Sequence, residues 1–165
     1  VSASKTLWQW HQGRQAIEEM KKELEGIAGK EQELLLTVEE LEKKREALPA
    51  AALPDQEVNR LLLEQEIWMV GKELERFREE VQEKRFSLEQ SLQEQQFAVL
   101  KWEQELDEKI LSAYYHVAEY KQRPIVEVKH KACTGCFMLL TQNKINEWRR
   151  GKDLVYCDEC GRILV

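Results

Sequence analysis

The chain has 165 residues, 34% of them charged, with only 7 Gly and 3 Pro and a net charge of −6. That composition favours long helices over a globule of short strands and turns. No apolar run exceeds five residues and no basic-then-apolar leader opens the chain, so neither a membrane-inserting span nor a secretory signal is expected, and the expected location is the cytoplasm.

From Trp10 to Leu48 a heptad can be counted. Positions 10, 17, 24, 31, 38 and 45 carry Trp, Ile, Leu, Glu, Val and Arg; positions 13, 20, 27, 34, 41 and 48 carry Gly, Met, Ile, Leu, Leu and Leu. Nine of these twelve are apolar, and the positions between them are mostly Glu, Lys, Gln and Arg, which favour helix and keep the outer face wet. A seam two residues wide needs a partner to bury it. Pro49-Ala-Ala-Ala-Leu-Pro54 interrupts the pattern, because each proline lacks an N–H and disfavours helix in the residue before it. The first helix is therefore expected to end near Leu48, with Asp55 capping a second. A short loop between two heptad helices makes an antiparallel hairpin. A turn centred between the prolines places Gly26 opposite Phe77 and Leu35 opposite Trp68.

The second helix is expected from about Gln56 to about Gln122, with Leu63, Ile67, Val70, Leu74, Phe77, Val81 and Leu88 among its seam residues and stutters at Lys84-Leu88-Leu92 and Trp102-Leu106-Ile110. At 1.5 Å per residue it would reach ~100 Å against ~60 Å for the first helix. Beyond about residue 103, Leu106, Ile110, Leu111, Tyr114, Tyr115, Val117 and Tyr120 then need cover. The C-terminal region folding back, residues preceding Val1, or a second chain would each provide it.

Pro124 ends the helical texture. Residues 125–129 alternate like a strand, Phe137 to Leu140 is a short apolar run, Asn143 to Arg150 reads as a helical turn or loop ended by Gly151, and Ile163-Leu164-Val165 closes as a strand. All four cysteines lie here in two pairs, Cys133-Thr-Gly-Cys136 and Cys157-Asp-Glu-Cys160-Gly161. Each pair can place two soft donors on one point from one tight turn, and the spacing is that of a zinc ribbon. In a reducing compartment such pairs are metal ligands rather than disulfides. One structural Zn²⁺ on Cys133, Cys136, Cys157 and Cys160 is the expectation, with Gly135 and Gly161 easing the backbone of the two turns. About 43 residues need such a staple to fold. Four thiolates leave no open position for a substrate, and His11 and His116 have no paired nucleophile or carboxylate cluster, so no enzyme is expected; His130, three residues before Cys133, could be a spare ligand but with four cysteines available is expected at the surface or beside the ligands.

Charge is divided. Residues 1–122 hold 17 Lys+Arg against 26 Asp+Glu, and residues 123–165 hold 8 against 5. The basic residues Lys129, Lys131, Lys144, Arg149, Arg150, Lys152 and Arg162, with Trp148 among them, are a candidate RNA or DNA surface; the alternative is that they serve solubility. In the hairpin, Leu61, Leu62, Trp68 and Met69 point away from the seam and Leu35 and Leu36 lie alongside, which makes a candidate protein-binding patch; a wider bundle or a homodimer contact would bury the same residues.

A coiled-coil hairpin followed by Cys-x-Gly-Cys and then Cys157-Asp-Glu-Cys160-Gly161-Arg162-Ile163-Leu164 resembles the bacterial C4-type zinc-ribbon family, which includes a flagellar regulatory chaperone and a chlamydial counterpart. The resemblance covers 43 residues by motif and the remainder by layout. It implies an adaptor that binds the enhancer-dependent sigma factor, sigma-54, and the regulator of the type III secretion ATPase, with flagellin messenger RNA as a further ligand in the flagellar case. The expected fold is thus mainly α: a helical hairpin over residues 1–122, turning at 49–54, then a β-rich four-cysteine ribbon over 123–165.

Overall fold

A computed structural model describes residues 2–50 and 53–165; the middle of the expected turn, residues 51 and 52, lies outside the described residues. Helix α1 spans Ala3–Ala47 and α2 spans Pro54–Glu105. The first helix stops where Pro49 requires it to. The second opens on Pro54 itself, with the N–H groups of Gln56 and Glu57 both donating to the carbonyl of Leu53, so Asp55 sits in the first turn and is not the cap. Proline suits that place because its missing N–H would have been unpaired there anyway.

A second departure comes at Leu106 and Asp107. The expected single helix to Gln122 breaks there, and a separate α3 spans Glu108–Ala118. Asp107 has extended dihedrals, φ −64° and ψ 143°, which turn the chain at the second stutter, Trp102-Leu106-Ile110. The two helices of the hairpin are therefore closer in length than expected, 45 and 52 residues.

Small strands follow: β1 (Ile125–Val126), β2 (Val128–Lys129) and β3 (Ala132–Cys133), then helix α4 (Gln142–Arg150), β4 (Val155–Tyr156) and β5 (Ile163–Leu164). One sheet has the order β1-β5-β4, with β1 parallel and β4 antiparallel to β5; the other is the antiparallel pair β2-β3. Helix α4 is a full helix rather than a loose turn. Thr141 caps it by accepting from the Lys144 N–H, and Gly151 ends it in the left-handed conformation, φ 62°.

The chain forms two compact units, Glu19–Leu92 and Val1–Glu18 with Gln93–Val165. Within the first, Ile27, Leu41, Leu74 and Phe77 are buried between the helices. The register is offset from the symmetrical one. The Lys30 ammonium lies 4.8 Å over the Phe77 ring, where Gly26 was expected, a shift of about one helical turn. Glu31, the acidic residue on the apolar seam, accepts from Arg78 at 2.7 Å and Arg85 at 2.6 Å, and these two bonds hold its carboxyl below the usual carboxylate range. A polar group on the seam with dedicated partners fixes the pairing of the helices, since any slip would strand it.

Within the second unit, the start of α1 packs on α3 and the ribbon. Leu7, Trp10, Val99, Leu106, Tyr114, Val117, Ile125 and Ile163 form one buried cluster. Trp10 meets Tyr114 and Tyr115 edge-on, with centroids 5.0 and 6.0 Å away. The His11 Nδ1 shares a buried 2.6 Å hydrogen bond with the Tyr114 hydroxyl. Burial first, and the nearby Arg14 second, keep the His11 pKa below its ordinary value. Of the covers considered for the apolar face beyond residue 103, the structure supplies the returning ribbon, together with the first turns of α1, for Leu106, Ile110, Leu111, Tyr114 and Val117, while Tyr115 and Tyr120 stay 48% and 74% exposed.

Gly13, the small residue on the seam, lies where the helices approach closely: a Cβ there would stand 2.7 Å from the Val99 Cγ2 and 3.0 Å from the Trp102 ring. Gly13→Val should overpack this contact and destabilise the fold by about 1–3 kcal/mol. Denaturant unfolding followed by tryptophan fluorescence measures it, and a variant as stable as the parent would contradict the close packing.

Candidate metal centre

The four cysteines come from three parts of the ribbon: Cys133 ends β3, Cys136 follows three residues on, and Cys157 and Cys160 occupy the turn between β4 and β5. Their Sγ atoms all lie within 4.8 Å of one another, and Cys133–Cys160 and Cys136–Cys157 are each 3.7 Å apart. A Zn–S bond of about 2.3 Å in a tetrahedron implies S···S edges of about 3.8 Å. A disulfide would need about 2.05 Å. The donor set is therefore spaced for one tetrahedral soft cation with no protein-free position.

The two turns that carry the ligands are built alike. In the first, the Phe137 N–H donates to the Cys133 carbonyl at 2.7 Å and the Cys133 N–H to the Met138 carbonyl at 3.0 Å. In the second, the Gly161 N–H donates to the Cys157 carbonyl and the Cys157 N–H to the Arg162 carbonyl, both at 2.9 Å. Phe137 and Gly161 thus occupy the same place after the second cysteine, and both are left-handed, with φ 62° and 74°. Gly161 is glycine for the expected reason. Gly135 is glycine for another: a Cβ there would meet the Arg162 Cδ at 2.5 Å, so the position is one of close approach and not of positive φ.

Electrostatics support the assignment. Burial pushes the Cys133 thiol up to about 12 and raises Cys157 as well, whereas Cys160, despite burial, is held at about 7 by hydrogen bonds from Arg162 and the neighbouring thiols. Thiols held this close together do not all ionise unaided, because each thiolate opposes the next. A dication at their centre removes the protons outright and balances the charge.

Residues 132–164 match the family model of the C4-type zinc ribbon domain. This is a structural zinc site on a ribbon. No curated protein matches the chain. Among solved structures, the ribbon-bearing chain is similar to the CT398 protein of Chlamydia trachomatis (19% identity, 98% of this chain and 81% of that one, TM-score 0.41). It is also similar to the HP0958 protein of Helicobacter pylori (21%, 98% and 84%, TM-score 0.36) and to a protein of Mycobacterium smegmatis (15%, 98% and 84%, TM-score 0.30).

The other sequence-derived candidates are placed as follows. Trp148 is half-buried and packs against the ribbon core with Val126, Cys133 and Leu164, so its ring is not a free stacking platform. Lys144 is bound to Asp158 at 3.2 Å and Glu147 at 3.3 Å, Lys129 to Glu127 at 2.9 Å, and Arg162 donates to the Arg123 carbonyl. Arg149 and Arg150 are exposed in the last turn of α4, with exposed Lys152 just beyond Gly151, and Lys131 is exposed in the β2-β3 turn. Basic side chains at a helix C-terminus also complement its dipole. Leu36, Leu61, Leu62, Trp68 and Met69 are exposed and Leu35 is half-buried, while Ile67 and Val70 turn inward as the heptad requires. The register offset moves Leu35 and Leu36 about one turn from Trp68. Two features escaped the sequence reading. The Trp10–His11–Tyr114 cluster joins distant segments and left no local mark, whereas the left-handed Phe137 could have been found by aligning the two Cys-x-x-Cys turns on each other.

Removal of zinc by a chelator should abolish the ribbon's strands and, because Ile125 and Ile163 leave the cluster around Trp10, should shift tryptophan emission. Residues 19–92 should retain their helix. Circular dichroism and fluorescence on the same sample, with one zinc per chain before chelation, check this; helicity lost throughout the chain would contradict it.

Proposed function

We propose that the protein is a non-enzymatic adaptor that binds other proteins through the apolar surface of its helical hairpin, in the cytoplasm. The observation that carries this reading is Trp68 and Met69, 64% and 58% exposed beside exposed Leu61 and Leu62 on one stretch of α2. Tryptophan is enriched among the few residues that carry most of the binding energy at protein interfaces. Between the helix ends nearby, Ala47, Leu48, Leu62 and Leu63 line an open groove of about 480 Å³ bordered by Lys44, Asn59 and Glu66. The zinc, closed by four sulfurs, serves structure in this reading. By the resemblance of the ribbon motif, the partners are sigma-54 and the regulator of the type III secretion ATPase, which would make the protein a chaperone linking transcription to secretion.

A second reading, nucleic-acid binding by the ribbon, draws on the exposed Arg149, Arg150 and Lys152. The ion pairs of Lys129 and Lys144 and the burial of Trp148 leave it a smaller surface than the sequence suggests.

Titration of purified sigma-54 and of the secretion-ATPase regulator against the zinc-loaded chain tests the first reading. Trp68→Glu should weaken binding by about 2 kcal/mol or more without loss of helicity. Absence of binding to either protein would remove the named partners, and unchanged affinity in the variant would remove the Trp68 surface. Arg149→Glu with Arg150→Glu should spare those partners; salt-sensitive RNA binding abolished by the same pair would favour the second reading.

A further inference from the structure

The two ligand turns differ at their left-handed position. Their backbones match bond for bond, yet the left-handed position holds glycine in one (Gly161) and phenylalanine in the other (Phe137). A bulky side chain with φ near +60° is strained, and here its ring is 75% exposed, so little packing compensates. Met138 and Leu139 follow at 51% and 77%. Three consecutive exposed apolar residues on a rigid, metal-held turn are a liability unless something covers them.

The backbone says what the cover is. The bridge between Ala132 and Leu139 adds a third member to the β2-β3 pair. Its flanking bonds run from the Cys133 N–H to the Met138 carbonyl and from the Leu140 N–H to the Lys131 carbonyl. Ala132 and Leu139 are thus a non-hydrogen-bonded pair, and the N–H and C=O of Leu139 point out from the sheet. Among the described residues neither has a partner. Lys129 pairs with Ala132 in the next register position, so Lys129, Ala132 and Leu139 share one face. Lys129, bound to Glu127 at 2.9 Å, lies on β2 across β3 from the open edge, so the exposed cation next to that edge is Lys131, whose carbonyl accepts from the Leu140 N–H.

We propose that this edge takes an extended segment of a partner protein as an added β-strand, with apolar side chains on Phe137 and Leu139 and a carboxylate toward Lys131. Strand addition satisfies the outward N–H and C=O of Leu139, which a lipid surface would not. The surface is separate from Trp68, so its failure and that of the hairpin reading are distinguishable.

The test uses the zinc-loaded full chain and capped synthetic peptides of alternating Val and Glu, alternating Val and Lys, and the Val-Glu peptide N-methylated at alternate residues. Fluorescence anisotropy should show the Val-Glu peptide binding about tenfold or more tightly than either of the others. Leu139→Ser and Phe137→Gly should each weaken it about tenfold, while Phe137→Gly retains zinc at least as firmly as the parent, because glycine suits the left-handed site. Equal binding of the N-methylated peptide, no preference for Glu over Lys, or no effect of the two substitutions would overturn the proposal. Co-sedimentation with phosphatidylcholine–phosphatidylserine vesicles in place of peptide binding would overturn it in favour of a membrane.

Discussion

Four sulfurs must reach one point, and nearly everything in the last 43 residues follows from that constraint. Strands of two residues cannot persist alone. They persist here because β3 delivers Cys133, β4 leads into Cys157, and β5 begins two residues after Gly161, so that both small sheets are tied to one centre. Zinc substitutes for the apolar area that so short a segment cannot bury.

The constraint extends beyond the ribbon. With the turn between β4 and β5 held, β5 pairs in parallel with β1, and the two present Ile163 and Ile125 to Leu7 and Trp10. That contact is available only because α2 stops at Glu105 and α3 takes a new direction, bringing Tyr114 to His11. A neutral His11 suits the cluster, since burial disfavours its charged form. Because its folded pKa is depressed, its contribution is complete above the ordinary histidine value and declines as the pH falls from there toward the folded value.

The heptad and the cysteine spacing made the helices and the ligand set legible without a structure, because both are short-range patterns with one physical solution each. What the sequence concealed was relational. Gly13 and Glu31 read as flaws in an apolar seam; the structure shows the first admitting Val99 and Trp102 at close range and the second clamped by Arg78 and Arg85. Neither role can be seen until the partner helix and its register are known. The register is offset by about one turn, and that offset is what separated Leu35 and Leu36 from Trp68. The break at Asp107 was hidden for a different reason: Glu, Lys and Leu on both sides favour helix, and only the stutter marked the place.

A closed metal site directs attention to the surface it stiffens. Gly161 shows what the ligand turn prefers at its left-handed position, and Phe137 departs from it within the same molecule. Since the zinc bonds are strong enough to hold that backbone whichever residue occupies it, the strain at Phe137 can be retained at small cost to the fold. An exposed aromatic ring gives no packing in return. The proposed added strand would supply that packing, and the unpaired edge at Leu139 lies two residues away.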